Sequence, residues 1–298
     1  MKVFTADEVC IPSQHYMVDI SDKLKEIKKL IDEGKYFTIN RGKKYGKTTV
    51  LTQLSKMLMQ EYYVVLLNFK EYGEDTFLKE DAFCRNILVD ICSSLSRQAN
   101  KSNNDFVAAV EKLSEISKDS DRAVGLFSLF HELLSVLDKT DRPIVLLIDN
   151  IDGSDNMKVM CEFLEQLRAR YIARDANDIP TFHSAILTSA TDIKILQELE
   201  MPEDKYLEGY QWNLASDIDV DLHLSCAGIK GMLDEYEVDH NTGMNTEEMA
   251  AMIWNHTEGY PIKVSRLCKI IDEDISKDLS PSEAWSKEGF DKAVKKLD

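Results

Sequence analysis

The 298-residue sequence predicts an α/β fold: a central, mainly parallel sheet flanked by helices, followed by a C-terminal helical subdomain. Three observations predict it. Short apolar runs alternate with stretches of helical periodicity through the first two thirds of the chain, the pattern of doubly wound proteins. One run, from Ile144 to Ile148, is apolar without interruption, as expected of a strand buried on both faces of a parallel sheet. From about Asp221 the strand-type runs stop and helical patterns succeed one another.

Leu24, Ile27, Leu30 and Ile31 recur at helical spacing, after the candidate caps Asp19 and Ser21 and before Gly34, so residues 21–33 should form a helix. Residues 36–40 read as a short buried strand. A glycine-bearing loop follows, then a second helical stripe through Val50, Leu51, Leu54, Met57 and Leu58. Residues 62–69 form the next expected strand, and residues 83–95, 106–116 and 124–137 the next helices, separated by polar loops. The apolar run 143–148 ends at Asp149. A helix over about 157–176 leads to a short strand at 184–188. Helices over 227–236, 246–256, 262–275 and 281–297 complete the pattern. The expected division is a core of residues 1–220 and a helical lid of residues 221–298. Phe290, Val294 and Leu297 still mark an amphipathic stripe where the sequence stops, so a longer natural protein is expected.

Hydrophobic residues at 44% and charged residues at 30% describe a globular chain that can bury a full core. A net charge of -17 disfavours unaided binding to nucleic acid, which rewards a surplus of Lys and Arg. No apolar stretch is long enough to cross a bilayer, and the first ten residues lack a basic region followed by an apolar run, so a cytoplasmic location is expected. The six cysteines contain no C-x-x-C pair and are expected to be reduced and structural. The six histidines are dispersed, with no pair spaced to share a metal. Trp212 and Trp254 are expected to be core anchors.

The segment Arg41-Gly42-Lys43-Lys44-Tyr45-Gly46-Lys47-Thr48-Thr49 lies between a predicted strand and a predicted helix. That is the setting in which a P-loop turns backbone N–H groups toward phosphates, with a Lys reaching the β and γ phosphates and a hydroxyl on Mg²⁺. Gly46, Lys47 and Thr48 supply these parts, whereas Arg41 stands where the first glycine of G-x-x-x-x-G-K-[ST] would fall. Asp149, ending a buried strand, is placed as a Walker-B carboxylate on the magnesium side.

These residues resemble the AAA-like ATPases of gut and other anaerobic bacteria, a family related to archaeal-type and STAND ATPases in the ASCE branch of P-loop NTPases. The likeness runs through 11–19, 36–49, the Asp149 strand, 182–192, 212–221 and 259–268. It implies ATP bound on a central parallel sheet, with Lys47 on the phosphates, Thr48 and Asp149 around Mg²⁺, and Thr188 or Ser189 as a sensor polar group. It also implies that His15, Tyr16 and Met17 lie near adenine. In the related STAND proteins a Gly-x-Pro motif approaches the nucleotide, which makes Gly259 and Pro261 candidates, against the alternative of a helix-starting turn. Members commonly carry Asp-Glu where this chain has Asp149-Asn150. Asn150 cannot accept a proton, and Asp152 is the nearest acid that could replace it.

The leading expectation is therefore a Mg-ATP-binding, nucleotide-dependent switch with slow or impaired hydrolysis, acting on a protein partner, another subunit or a further C-terminal domain. Many relatives continue into a region resembling PD-(D/E)xK nucleases. Two alternatives stay open: an interaction module on a degenerate P-loop fold in which ATP is structural or absent, and a small-molecule kinase. Arg168, Arg170 and Arg174 could supply an arginine finger or simply form a solvated helix face.

Overall fold

The computed structural model describes residues 1–7, 9–99, 103–154, 157–177, 179–192 and 220–297. Trp212 and most of the 212–221 segment lie outside them. The chain packs into two compact units. One comprises Ile27–Gly42 and Leu51–Asp219, the other Met1–Glu26, Lys43–Val50 and Val220–Asp298.

The first unit holds the sheet. Its strands are β1 (Tyr36–Asn40), β2 (Tyr63–Asn68), β3 (Ile144–Asp149) and β4 (Ser184–Ser189). They run in the order β1-β4-β3-β2, and each adjacent pair is parallel. The two central strands β3 and β4 are buried at every position, which explains the unbroken apolar run at 144–148: both faces of a parallel sheet are covered, so no alternation survives. The helices of this unit are α3 (Glu74–Leu78), α4 (Glu80–Gln98), α5 (Asn104–Lys118), α6 (Leu126–Lys139) and α7 (Lys158–Asn177), while α1 (Ser21–Asp32) and α2 (Lys47–Leu58) are each divided between the two units. Phe69, Phe77, Phe83, Phe130 and Phe163 meet in one aromatic cluster of the core, with ring centroids 5.4–6.5 Å apart. Local chemistry sets the element starts: the Asn103 side chain accepts the Phe106 N–H at 2.6 Å, capping α5. The 3-10 turn Phe69–Glu71 and the short α3 had no periodicity long enough to read in the sequence.

The second unit is helical. It contains α8 (Cys226–His240), α9 (Thr246–Thr257), α10 (Pro261–Glu273), α11 (Pro281–Ala284) and α12 (Lys287–Leu297). The side chains of Ser225 and Asn245 accept the N–H groups of Gly228 and Glu248, fixing the starts of α8 and α9. Asn241 and Glu258 end those helices in the left-handed conformation. The helix expected over 281–297 is instead two. The backbone breaks at Trp285, and the Ser286 hydroxyl accepts the Glu288 N–H at 3.2 Å, starting α12 afresh.

The core of this unit also takes in the start of the chain. Val3 pairs with His15 in a single parallel bridge, and Phe4, Tyr16 and Val18 pack among Ile229, Leu233, Tyr236 and Trp285. Trp285 is buried and supplies the anchor. Trp254 does not: it is 40% exposed, on the outer face of α9.

All six cysteines are free thiols. Burial pushes Cys84 and Cys92 up to about 12, so both stay protonated and inert near neutral pH. Among the described residues no helix is long and apolar enough to cross a membrane.

Candidate functional site

A parallel sheet delivers the C-terminal residues of its strands to one edge, where ligands bind in open α/β folds. In the sheet unit that edge carries a row of polar side chains. Asn40 is in register with Ser189, and Asn68 with Asp149. Ile148 faces Leu187, which brings Asp149 and Thr188 to the ends of neighbouring strands. Hydrogen bonds join them: Ser189 Oγ donates to Asn40 Oδ1 at 2.9 Å, and the Thr188 hydroxyl donates to Asp149 Oδ1. Asp149 is 2% exposed and Thr188 and Ser189 are fully buried. A carboxylate taken this far from water requires partners, and Thr188 is one.

Asn150 leaves the strand in the left-handed conformation, with φ 55°. Asn tolerates this conformation better than most residues. Its N–H reaches Asp149 Oδ1 at 3.1 Å and Thr188 Oγ1 at 3.4 Å, and its Nδ2 donates to Asn68 Oδ1 at 3.0 Å. The side chain at this position is thus turned along the edge toward β2. Asp152 is spent elsewhere: its Oδ2 accepts the N–H groups of Ala190 at 2.9 Å and Thr191 at 3.2 Å, tying down the loop after β4.

Arg41 continues the pairing of β1. Its N–H donates to the Ser189 carbonyl at 3.2 Å, and its Nη1 donates to the Asn40 carbonyl at 3.3 Å. Neither Arg41 nor Gly42 has positive φ. A glycine is therefore not required at position 41, and the departure from the P-loop pattern carries no backbone strain there.

The rest of the loop belongs to the helical unit. Lys44 and Gly46 adopt positive φ, 65° and 78°, on either side of Tyr45, and α2 begins at Lys47. Alternating left- and right-handed residues turn successive N–H groups toward one side, and the first turn of a helix offers further N–H groups without intrahelical partners. The Lys47 side chain is buried at 8% exposure. Thr49 Oγ1 accepts the Cys10 N–H at 3.3 Å, and Lys44 Nζ lies 3.8 Å from Asp7.

Around this loop stand residues that follow α9. Pro261 is the first residue of α10, and a Cβ added to Gly46 would meet the Pro261 Cβ at 4.0 Å. The Tyr45 ring packs on Tyr260 at 4.4 Å and edge-on to His223 at 5.4 Å. The Tyr260 hydroxyl donates to the Lys43 carbonyl at 2.6 Å. Tyr260 was legible only as the unnamed middle of Gly259-Tyr260-Pro261, and Asn68 and His223 carried no signal at all.

His15 and Tyr16 are buried. His15 Nδ1 accepts the Ile11 N–H at 3.0 Å, and the Tyr16 hydroxyl donates to Asp239 at 2.6 Å from within the aromatic cluster of Phe4, Tyr236 and Trp285. Both polar ends are thereby engaged in holding the start of the chain, and Met17 follows directly. On α7, Arg170 stacks over Phe130 at 4.4 Å, and Arg174 stacks over Tyr171 while donating to the Gly34 carbonyl at 2.9 Å. They do not form a solvated helix face.

A family model described as an AAA-like domain matches residues 4–266. Among solved structures, the chain is similar to the Walker-type ATPase PABY2304 of Pyrococcus abyssi, with 12% identity and a TM-score of 0.56 over 94% of this chain and 71% of that one. It is similar to Cdc6p from Pyrobaculum aerophilum, with 12% identity and a TM-score of 0.50 over 92% of this chain and 64% of that one. It is also similar to the ORC2 protein of Aeropyrum pernix in ADPNP-ADP complexes, with 12% identity and a TM-score of 0.50 over 98% of this chain and 71% of that one. At such identities the likeness is one of fold. No curated protein matches the chain.

Proposed function

This chain belongs to the AAA-like domain family, and on that premise we propose that it binds Mg-ATP as a nucleotide-dependent switch and hydrolyses it slowly. The observation that carries the reading is the end of β3, where the buried carboxylate of Asp149 is followed by an amide tied to Asn68 instead of an acid. In this proposal Lys47 and the loop Arg41 to Thr49 hold the phosphates, Thr48 and Asp149 hold Mg²⁺, and Thr188 is the polar sensor. The residues fit such a group. Carboxylate and hydroxyl oxygens are the hard donors that Mg²⁺ takes, and the left-handed residues Lys44 and Gly46 give the loop an anion-binding backbone. Magnesium would supply neutralisation of phosphate charge. The similarity to an archaeal protein solved with ADPNP and ADP supports the choice of nucleotide.

Slow turnover follows, in this proposal, from Asn150 standing directly after Asp149 where a base would be. The Asn150 amide cannot take a proton, and Asp152 Oδ2 already serves two backbone N–H groups. In this proposal residues 1–220 serve as the NTPase core and 221–298 as its lid, although residues 1–26 and 43–50 fall in the same compact unit as the lid. Switching requires that open and closed states differ in nucleotide affinity. A protein partner, a second subunit or a C-terminal effector domain would receive the signal, in the cytoplasm.

The test is thermal unfolding with ATP, ADP and Mg²⁺, beside steady-state hydrolysis. Ligand at one hundred times its dissociation constant adds about 2.7 kcal/mol, and Lys47→Ala should abolish that gain. Turnover should lie far below about 10 per second, the median for enzymes. A fast, Lys47-dependent ATPase would overturn the slow-switch reading.

A further inference from the structure

We propose that Tyr260 is a positioning residue of the phosphate loop: by holding the Lys43 carbonyl, it aims the Lys44 N–H at a bound phosphate. The inference rests on the nucleotide-binding reading above. It starts from peptide geometry. The C=O of Lys43 and the N–H of Lys44 share one planar trans peptide and point in opposite directions. With the carbonyl fixed on the Tyr260 hydroxyl at 2.6 Å, the N–H is fixed facing away from Tyr260. Lys44 itself sits at φ 65°, a conformation that a side-chain-bearing residue keeps only when its surroundings impose it.

The constraint is well anchored. Gly259 lies with its backbone against Leu224: its carbonyl accepts the Leu224 N–H at 2.8 Å, and a Cβ there would come within 2.1 Å of the Leu224 carbonyl. Directly after Tyr260, Pro261 begins α10. Tyr260 is thus presented by a turn held at both ends, and the Tyr45 ring packs on its ring at 4.4 Å. Burial pushes the Tyr260 phenol up, so it remains a donor near neutral pH.

The test compares wild type with Tyr260→Phe, which keeps the ring and removes the hydroxyl. MgATP and MgADP affinities are measured by calorimetry, unfolding midpoints without nucleotide by circular dichroism, and the Lys44 amide by NMR of ¹⁵N-lysine-labelled protein, assigned through Lys44→Arg. Loss of one neutral hydrogen bond predicts about a fivefold weaker affinity for both nucleotides, with only a small drop in the ligand-free midpoint, because the exposed Lys43 carbonyl can turn to water instead. The Lys44 amide should shift on adding pyrophosphate to wild type and fail to shift in the variant. Wild-type affinity in Tyr260→Phe overturns the inference, as does an equal Lys44 shift in both proteins. If wild type itself binds no nucleotide, the reading of the site falls and this inference with it, an outcome distinct from failure of the variant comparison alone.

Discussion

The Thr188 hydroxyl donates to the Asp149 carboxylate between the ends of β4 and β3, both residues being buried. Thr188→Val keeps the shape and removes the donor. It should destabilise the sheet unit by roughly 1–3 kcal/mol, the cost of depriving a buried acceptor of a partner, whereas Thr188→Ser should cost far less. Urea unfolding of the two variants checks this. Equal stability of Thr188→Val and wild type would show that the other interactions of Asp149 suffice.

Asn150→Glu places an acid where the family resemblance implies one and should raise ATP turnover above the wild-type rate. It has a structural cost as well. The position is left-handed and its amide holds Asn68, so the variant should lose about 1–3 kcal/mol of stability. Hydrolysis and unfolding must be measured together. A folded, ATP-binding variant with no gain in turnover counts against the proposal that Asn150 slows hydrolysis.

Gly259→Ala should be among the most damaging single substitutions in the helical unit. The added methyl would meet the Leu224 carbonyl at 2.1 Å, a backbone atom that cannot swing aside, and φ is 75°. A loss of more than about 3 kcal/mol is expected. A modest change in thermal midpoint would mean that the 224–259 apposition yields more easily than its geometry implies.

Asp81 supplies a pH dependence. Its hydrogen bond from Arg85 at 2.9 Å holds its carboxyl below the ordinary range, helped by the Val124 N–H at 2.7 Å. A depressed native value means that the stabilisation is present above the unfolded value of about 4 and disappears as pH falls through the native one. Asp81→Asn should therefore lower the urea midpoint at pH 7, with the gap to wild type narrowing in acid below about pH 4. A gap that stays constant with pH would remove the charge from the explanation.

The strands were readable from the sequence to within a residue, because short apolar stretches between helical patterns mark them, most plainly the unbroken run that Asp149 ends. Long helices such as α4 and α5 were equally plain in their periodicity. What escaped was set by contacts between distant parts of the chain. Nothing local marks Asn68 as the partner of Asn150, or Tyr260 as the holder of Lys43. The sequence equally concealed that Tyr16, which the family likeness places near adenine, sends its hydroxyl to Asp239. The break at Trp285 was hidden for a local reason: Ser280 and Glu283 announced one helix start, and Ser286 a second, within a single amphipathic stripe.

Phe4 and Trp285 pack in the same core, their rings 6.0 Å apart. During synthesis, the four described strands of the sheet are all made by residue 189, while of the helical unit's buried core only Phe4, Tyr16 and Val18 have been made. Its first residues must wait, unburied, for its last. Contacts of such sequence separation form late because the chain between them must first be ordered. The helical unit should thus close after the sheet unit, and a ribosome or a chaperone would meet Phe4 and Tyr16 exposed until their core partners beyond residue 229 are made.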